Sequence, residues 1–425
     1  MAEQKPEPIP LPQPVEMVKP PDAAVVLPST TRLMLAQASG AAELVVVHKR
    51  TYTWEPGKRA WPADVQPPLD EAGVLYPPIA EGRAPTWKSL PEVVGYKAGT
   101  DVVIHASARS PRPVERLSTV LFLGKRRHEV LVSGKRRTAL HGGQVVFTPP
   151  EPFTEVPLRY ELAYGGRDLF YETHFMEEVR RVTSAAIMRR ATPSMEGLFT
   201  KVSPLMYPRN RFGQGYVLEQ RAEQQAGREL PQLERPDDLL TPERLMLGNP
   251  LRWWQQPMPA GFDYLDPMTF PRMGMFACPP PGYQPGDGVR EVELGLVPKD
   301  FCRGNIVIAT PEQLPTLLHP HAGHCASLGL NFPYLRGDEM MLLQGMDAKG
   351  LELDILLPAE RPTMTVAGVE KKPLTLNAEP YLVLVEVDTR QVVLVWAARH
   401  RLAQPIAPQR LPALSAATSV AWRRT

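Results

Sequence analysis

Cysteine is scarce in this chain of 425 residues. Cys278, Cys302 and Cys325 are odd in number and far apart, which excludes a disulfide framework and reads as the reduced thiols of a cytosolic protein. No apolar run approaches the ~18 residues a membrane helix requires. The opening stretch, MAEQKPEPIPLPQPVEMVKPPD, has no basic segment followed by an apolar one, so no secretory leader is expected. An excess of one charge is missing as well: the formal net charge is +2, too little to draw in nucleic acid or an anionic membrane surface. The signatures of common chemistries are also lacking. There is no G-x-S-x-G elbow and no phosphate-binding loop, and Gly213 and Gly215 in NRFGQGY have no flanking strand-helix-strand pattern to make them a dinucleotide fingerprint.

What the chain has in excess is proline, 49 residues against an average usage of about 5%. Proline works against long helices and central strands and favours short strands joined by stiff loops. The length exceeds what one core normally fills. The expected architecture is therefore mainly β: two β-sandwich-like antiparallel domains, joined by a long ordered segment rich in proline and aromatics, with few short helices. Residues 204–285 form that segment, with 14 prolines and no sustained period, yet with the aromatics Trp253, Trp254, Phe262, Tyr264, Phe270, Phe276 and Tyr283 that disordered chains lack.

In chain order, residues 1–28 alternate proline with small or polar residues and read as an extended polyproline segment, either a free tail or a strap. A β-rich domain is expected over 29–203. It starts with the alternating run Leu44 to Trp54, continues with Asp101 to Ala108, and then has strands turning at Gly124 and at Ser133-Gly134. The clusters Lys125-Arg126-Arg127 and Lys135-Arg136-Arg137 fall near opposite ends of one strand, so they read as solvated turn charges, not as a nucleic-acid site. Within this domain an amphipathic helix is expected over 168–191, with Phe175, Val179, Val182 and Ala186 on one face and Pro193 as its stop. Thr241-Pro242-Glu243 and Thr310-Pro311-Glu312 share a helix-start signature. A second β-rich domain is expected over 286–403, with strands at Arg290 to Val297, Ile306 to Ala309, Met340 to Leu343, Leu351 to Leu357 and Met364 to Val369. The pair Tyr381 to Val387 and Val392 to Ala398, apolar on both faces, should be its central hairpin. Residues 404–425 read as a loose tail.

The most metal-like feature is HPHAGHC, which places His319, His321, His324 and Cys325 within seven residues. Pro320 spreads the first two histidines and the only other cysteine near it in sequence is the isolated Cys302, so a polar surface loop is the plainer reading. No cofactor is expected. Exposed to a partner, the aromatics Trp253, Trp254, Phe262, Tyr264, Phe276 and Tyr283 would suit protein recognition.

Several phrases occur in order along the chain: RYELAYGGRD, NRFGQGY, LPQLERP, PAGFDYLDP, FACPPPGYQ, LRGDEMMLLQGM and VEVDTRQVVLVW, with GYKAGTDVVIHASARS and FLGKRRHEVLVSGKRR before them. Together they resemble a bacterial domain-of-unknown-function family encoded beside type VI secretion genes, over roughly Leu44 to Arg399. Against the family pattern, the helix 168–191 looks inserted and Arg211 stands where proline usually follows Asn210. The resemblance implies a non-enzymatic cytoplasmic adaptor or chaperone. Its partners would be a secreted toxic effector and the spike, a valine-glycine-repeat trimer capped by a proline-alanine-alanine-arginine-repeat cone. No catalytic residues come with it; Tyr160, Glu161, Gly165, Gly166, Asn210, Gly213 and Gly215 are motif positions with an expected structural role. Two other readings stand beside it: a metal-dependent hydrolase using His319, His321 and His324, and a structural component of the secretion apparatus.

Overall fold

The computed structural model describes residues 29–38, 41–168, 206–218, 221–245, 253–270, 272, 290–294, 296 and 323–424. The expected segment 1–28, the helix over 168–191 beyond Asp168, the helix start at Thr310 and the strand at Ile306 lie outside them. The described chain is mainly β, with several sheets and a few short helices.

The largest sheet runs in the order Thr31–Ala38, Ala41–Thr53, Gln391–Arg401, Glu379–Glu386, Thr100–His105, Asn331–Phe332, with Trp61–Pro62 attached to Ala41–Thr53. Its centre is the doubly apolar hairpin: every residue from Val392 to Ala398 is buried, and so are those from Pro380 to Val385. A strand with both faces apolar gains most when both faces are covered, and that places it mid-sheet. Glu379–Glu386 pairs in parallel with Thr100–His105, while the other ladders of this sheet are antiparallel. A second sheet runs Leu233–Glu234, Arg126–Ser133, Arg116–Leu123, Met340–Gln344, Leu353–Leu356. In its first hairpin Gly124 takes φ +58, a conformation that a Cβ resists. A third sheet holds Leu374–Asn377, Glu360–Val366 and Thr418–Arg424.

This pairing redraws the expected domains. Strands from 29–203 and from 286–403 alternate within the same sheets, and Ala41–Thr53 is paired to Gln391–Arg401 from Glu43/Arg401 to Thr53/Gln391. One hydrophobic cluster takes in Trp54, Leu121, Phe262, Met341 and Trp396, so no break falls between the two halves. Two local expectations also fail. The residues from Arg290 form a helix, Arg290–Glu293, which buries Glu291 against Arg209, with Nε–Oε1 at 2.5 Å. The tail is not loose: the helix Leu411–Ala416 buries Leu414, Ser415 Oγ accepts from Leu33 N at 3.1 Å, and Thr418–Arg424 pairs along Glu360–Val366.

The middle segment, where described, is irregular yet buried. All residues from Gln256 to Asp266 are inside. A buried irregular backbone needs partners for its polar groups, and it has them: Phe262 O accepts from Ile104 N at 2.9 Å, Leu265 N donates to Cys325 O at 2.7 Å, and Phe270 N to Pro208 O at 2.7 Å. Trp253, Phe262 and Tyr264 are 1%, 0% and 3% exposed, so they anchor this segment in the core and present no surface to a partner. The side chain of Trp254, together with Phe276 and Tyr283, lies outside the described residues. Arg136 differs from the expected solvated charge in the same way. It is buried, paired with Glu234, and donates to Pro231 O at 2.9 Å.

Candidate functional site

The motif residues converge on one knot. Asn210 Nδ2 donates to Tyr160 O at 2.9 Å and Tyr164 O at 3.1 Å, while Asn210 O accepts from Gly166 N at 2.8 Å. Gly165 and Gly166 have φ of +148 and +96, and a Cβ on either would collide with a carbonyl oxygen, of Asn210 and Gly213 respectively. Gly213 is equally tight against Ala163 O, and a Cβ on Gly215 would lie 2.8 Å from Pro231 Cδ. Glu161 accepts from Thr86 N at 3.1 Å and Thr86 Oγ1 at 2.7 Å, and Tyr160 donates to Ser327 Oγ at 2.9 Å. The knot brings 160–168 onto 206–216: Arg167 bridges Met206, and Tyr207 N donates to Gly166 O at 2.9 Å. Its groups face one another, which makes it a fastener between the two segments.

His324 and Cys325 belong to a second cluster, built around Asp101. This carboxylate accepts from Lys97 Nζ at 2.6 Å, Asn331 Nδ2 at 2.6 Å, and Cys325 N and Sγ at 2.8 and 3.0 Å; His324 Nδ1 lies 2.6 Å from it. Burial opposes a charge on Asp101, but the Lys97 ammonium and the His324 hydrogen bond outweigh it and hold the carboxyl far below its usual range. Burial, reinforced by the Asp101 charge, pushes the Cys325 thiol up to about 12. A thiol that stays protonated is a poor nucleophile and a poor metal ligand. Among the described residues no group of three His, Cys, Asp or Glu is arranged to hold a metal. His319 and His321 lie outside those residues, so the structure brings together His324 and Cys325 alone of the four. Sequence reading missed Asp101 and Lys97 because Asp101 stands 224 residues from Cys325.

A third cluster centres on buried His105. Its Nδ1 is 2.8 Å from Glu386 Oε1 and its Nε2 is 3.2 Å from Asp263 Oδ1. Burial disfavours the imidazolium, yet the two carboxylates more than compensate and raise its pKa to about 9. It ties the central sheet to the irregular segment.

A cavity of about 980 Å³ is walled among the described residues by Ala98, 126–129, 235–237, Leu294, Leu296, His324, Leu328, Gly329 and 331–333. His324 and Asn331 thus separate it from the Asp101 cluster. Arg127 pairs with Glu129 at 2.5 Å and Arg235 with Asp237 at 3.1 Å. Arg126 lies 4.8 Å from the Phe332 ring and donates to Asn331 O. His128 Nε2 donates to Gly261 O at 2.9 Å, which leaves Nδ1 as the acceptor. Burial, against the Gly261 hydrogen bond and helped by the Arg235 charge, lowers this imidazole to about 4, so it is neutral.

Fold and clusters together define a β-rich protein with paired titratable clusters at Asp101 and His105 and an open groove of mixed polar and apolar wall. The chain belongs to a family described as an uncharacterized protein conserved in bacteria (DUF2169), whose model matches residues 39–397. No curated protein and no solved structure matches it. No helix among the described residues is long and apolar enough to cross a membrane.

Proposed function

We propose that the protein is a non-enzymatic adaptor or chaperone that binds a toxic effector in the bacterial cytoplasm and helps load it onto the type VI secretion spike. The ordered run of phrases from GYKAGTDVVIHASARS to VEVDTRQVVLVW supports this reading on the side of the sequence. On the side of the structure, the observation that carries it is the division of polar groups. The titratable clusters at Asp101 and His105 are locked in internal pairs, whereas the mixed charged and apolar wall lies open in the cavity of about 980 Å³. Mixed walls of this kind suit a polypeptide, whose apolar anchors and polar rim they match. The partners on this reading are the effector, the valine-glycine-repeat trimer and its proline-alanine-alanine-arginine-repeat cone.

Co-expression with each effector and spike gene encoded beside it, followed by affinity purification and size-exclusion chromatography, tests the proposal. A stoichiometric complex with an effector is expected. Recovery of none of them refutes it, and a fixed homo-oligomeric assembly without effector would point to a structural part of the apparatus.

A further inference from the structure

The groove has features that specify its occupant more closely. Among the described residues its wall holds three guanidinium groups, of Arg126, Arg127 and Arg235, and two carboxylates, of Glu129 and Asp237, each already paired to an arginine. Arg126 has a carbonyl and an aromatic ring for company, so the described residues of the wall carry a net positive charge. Leu294 is 39% exposed and, with Leu296, Leu328 and Phe332, adds an apolar surface. Beside the bare Cα of Gly329, where a Cβ would stand 3.3 Å from it, His128 Nδ1 offers a neutral acceptor whose tautomer Gly261 fixes. A phosphate backbone could meet the guanidinium groups but has no aliphatic side chains to cover Leu294, Leu296 and Leu328. A polypeptide supplies all the complements: carboxylates for the guanidinium groups, apolar side chains for the leucines, and a backbone N–H for the imidazole.

We propose that this groove seats an extended segment of a partner protein in which acidic side chains alternate with apolar ones. The inference deepens the adaptor reading and rests on it only for the identity of the partner. Fluorescence anisotropy with two labelled peptides tests it, one alternating Glu with Leu and one alternating Lys with Leu. The Glu-Leu peptide binds the whole protein at least about tenfold more tightly, a difference of about 1.4 kcal/mol. The Arg127→Glu/Arg235→Glu variant reverses that preference. Leu294→Glu, a change at an exposed position, weakens the Glu-Leu peptide while leaving the thermal unfolding profile unchanged. Equal binding of both peptides, or affinities unmoved by both variants, overturns the inference. Repeating the co-purification with the double variant separates the two proposals. A natural partner recovered equally well by the variant sinks the groove and leaves the adaptor; peptide discrimination without any natural partner sinks the adaptor and leaves the groove.

Discussion

Replacing His105 by Gln should remove a defined part of the alkaline instability of this protein. In the fold the imidazole sits between Glu386 Oε1 at 2.8 Å and Asp263 Oδ1 at 3.2 Å, and its pKa rises to about 9 from an ordinary value of 6.5. The folded state therefore holds this proton more tightly than the unfolded chain does. The resulting stabilisation is complete below about pH 6.5 and is lost as pH climbs through about 9. With one pKa unit worth about 1.4 kcal/mol, most of the gap is present at pH 7 and almost none at pH 9.5, a loss of about 2–3 kcal/mol. The charged groups facing His105 are Asp263 and Glu386, and Asp263, also buried, has its own carboxyl raised by burial against the His105 charge. The variant should consequently be destabilised at pH 7, where Asp263 loses its cation, and should show a flatter profile between pH 7 and 9.5. Thermal unfolding at fixed scan rate across that range reads both effects. A variant whose alkaline slope parallels the parent would refute the assignment of the charge to His105.

Other outcomes follow from the same contacts. Gly165→Ala drives a Cβ into the Asn210 carbonyl oxygen at φ +148 and should cost several kcal/mol, about 3 or more, or abolish soluble expression; a melting temperature within a degree of the parent would contradict the knot. Exchanging residues 169–205 for a short Gly-Ser linker should preserve the β-sheet circular dichroism and cooperative melting, because Arg167 and Met206 already bridge and Tyr207 N reaches Gly166 O; loss of the fold would show that the flanking contacts do not suffice. Cys325 should resist alkylation at pH 8 far longer than a free cysteine, as mapped by peptide mass spectrometry, since its thiol is buried and raised to about 12; labelling as fast as in the unfolded chain would remove the Asp101 cluster from the account.

The hairpin of Glu379–Glu386 and Gln391–Arg401 was legible because its residues are apolar on both faces, a pattern that only a covered central strand satisfies. The helix Pro242–Leu245 was equally legible in Thr241-Pro242-Glu243. Arg290 to Val297 misled because Val292, Leu294 and Leu296 alternate as in a strand, while the deciding partner of Glu291 is the distant Arg209. In the tail, Pro405, Pro408 and Pro412 hid a signal that was present, the alternation of Val420 and Trp422, which pack against the core. The groove could not be read at all. Its walls come from the hairpin at 126–129, the loop at 235–237, the helix near Leu294 and the segment 328–333, and only tertiary pairing sets them side by side.

The interleaving of early and late strands also constrains how the molecule is made. Thr100–His105 has Glu379–Glu386 on one side and Asn331–Phe332 on the other, so a strand that leaves the ribosome early waits for more than half of the polypeptide before its neighbours exist. Until then the apolar run from Val102 to Ile104 has no lasting cover, and the closing of such distant pairs makes folding slow and leaves the nascent chain open to aggregation. Shortening the gene from its 3′ end would accordingly remove the edge strand Thr418–Arg424 first and, once it reached Gln391–Arg401, strip the early strand Ala41–Thr53 of its longest pairing.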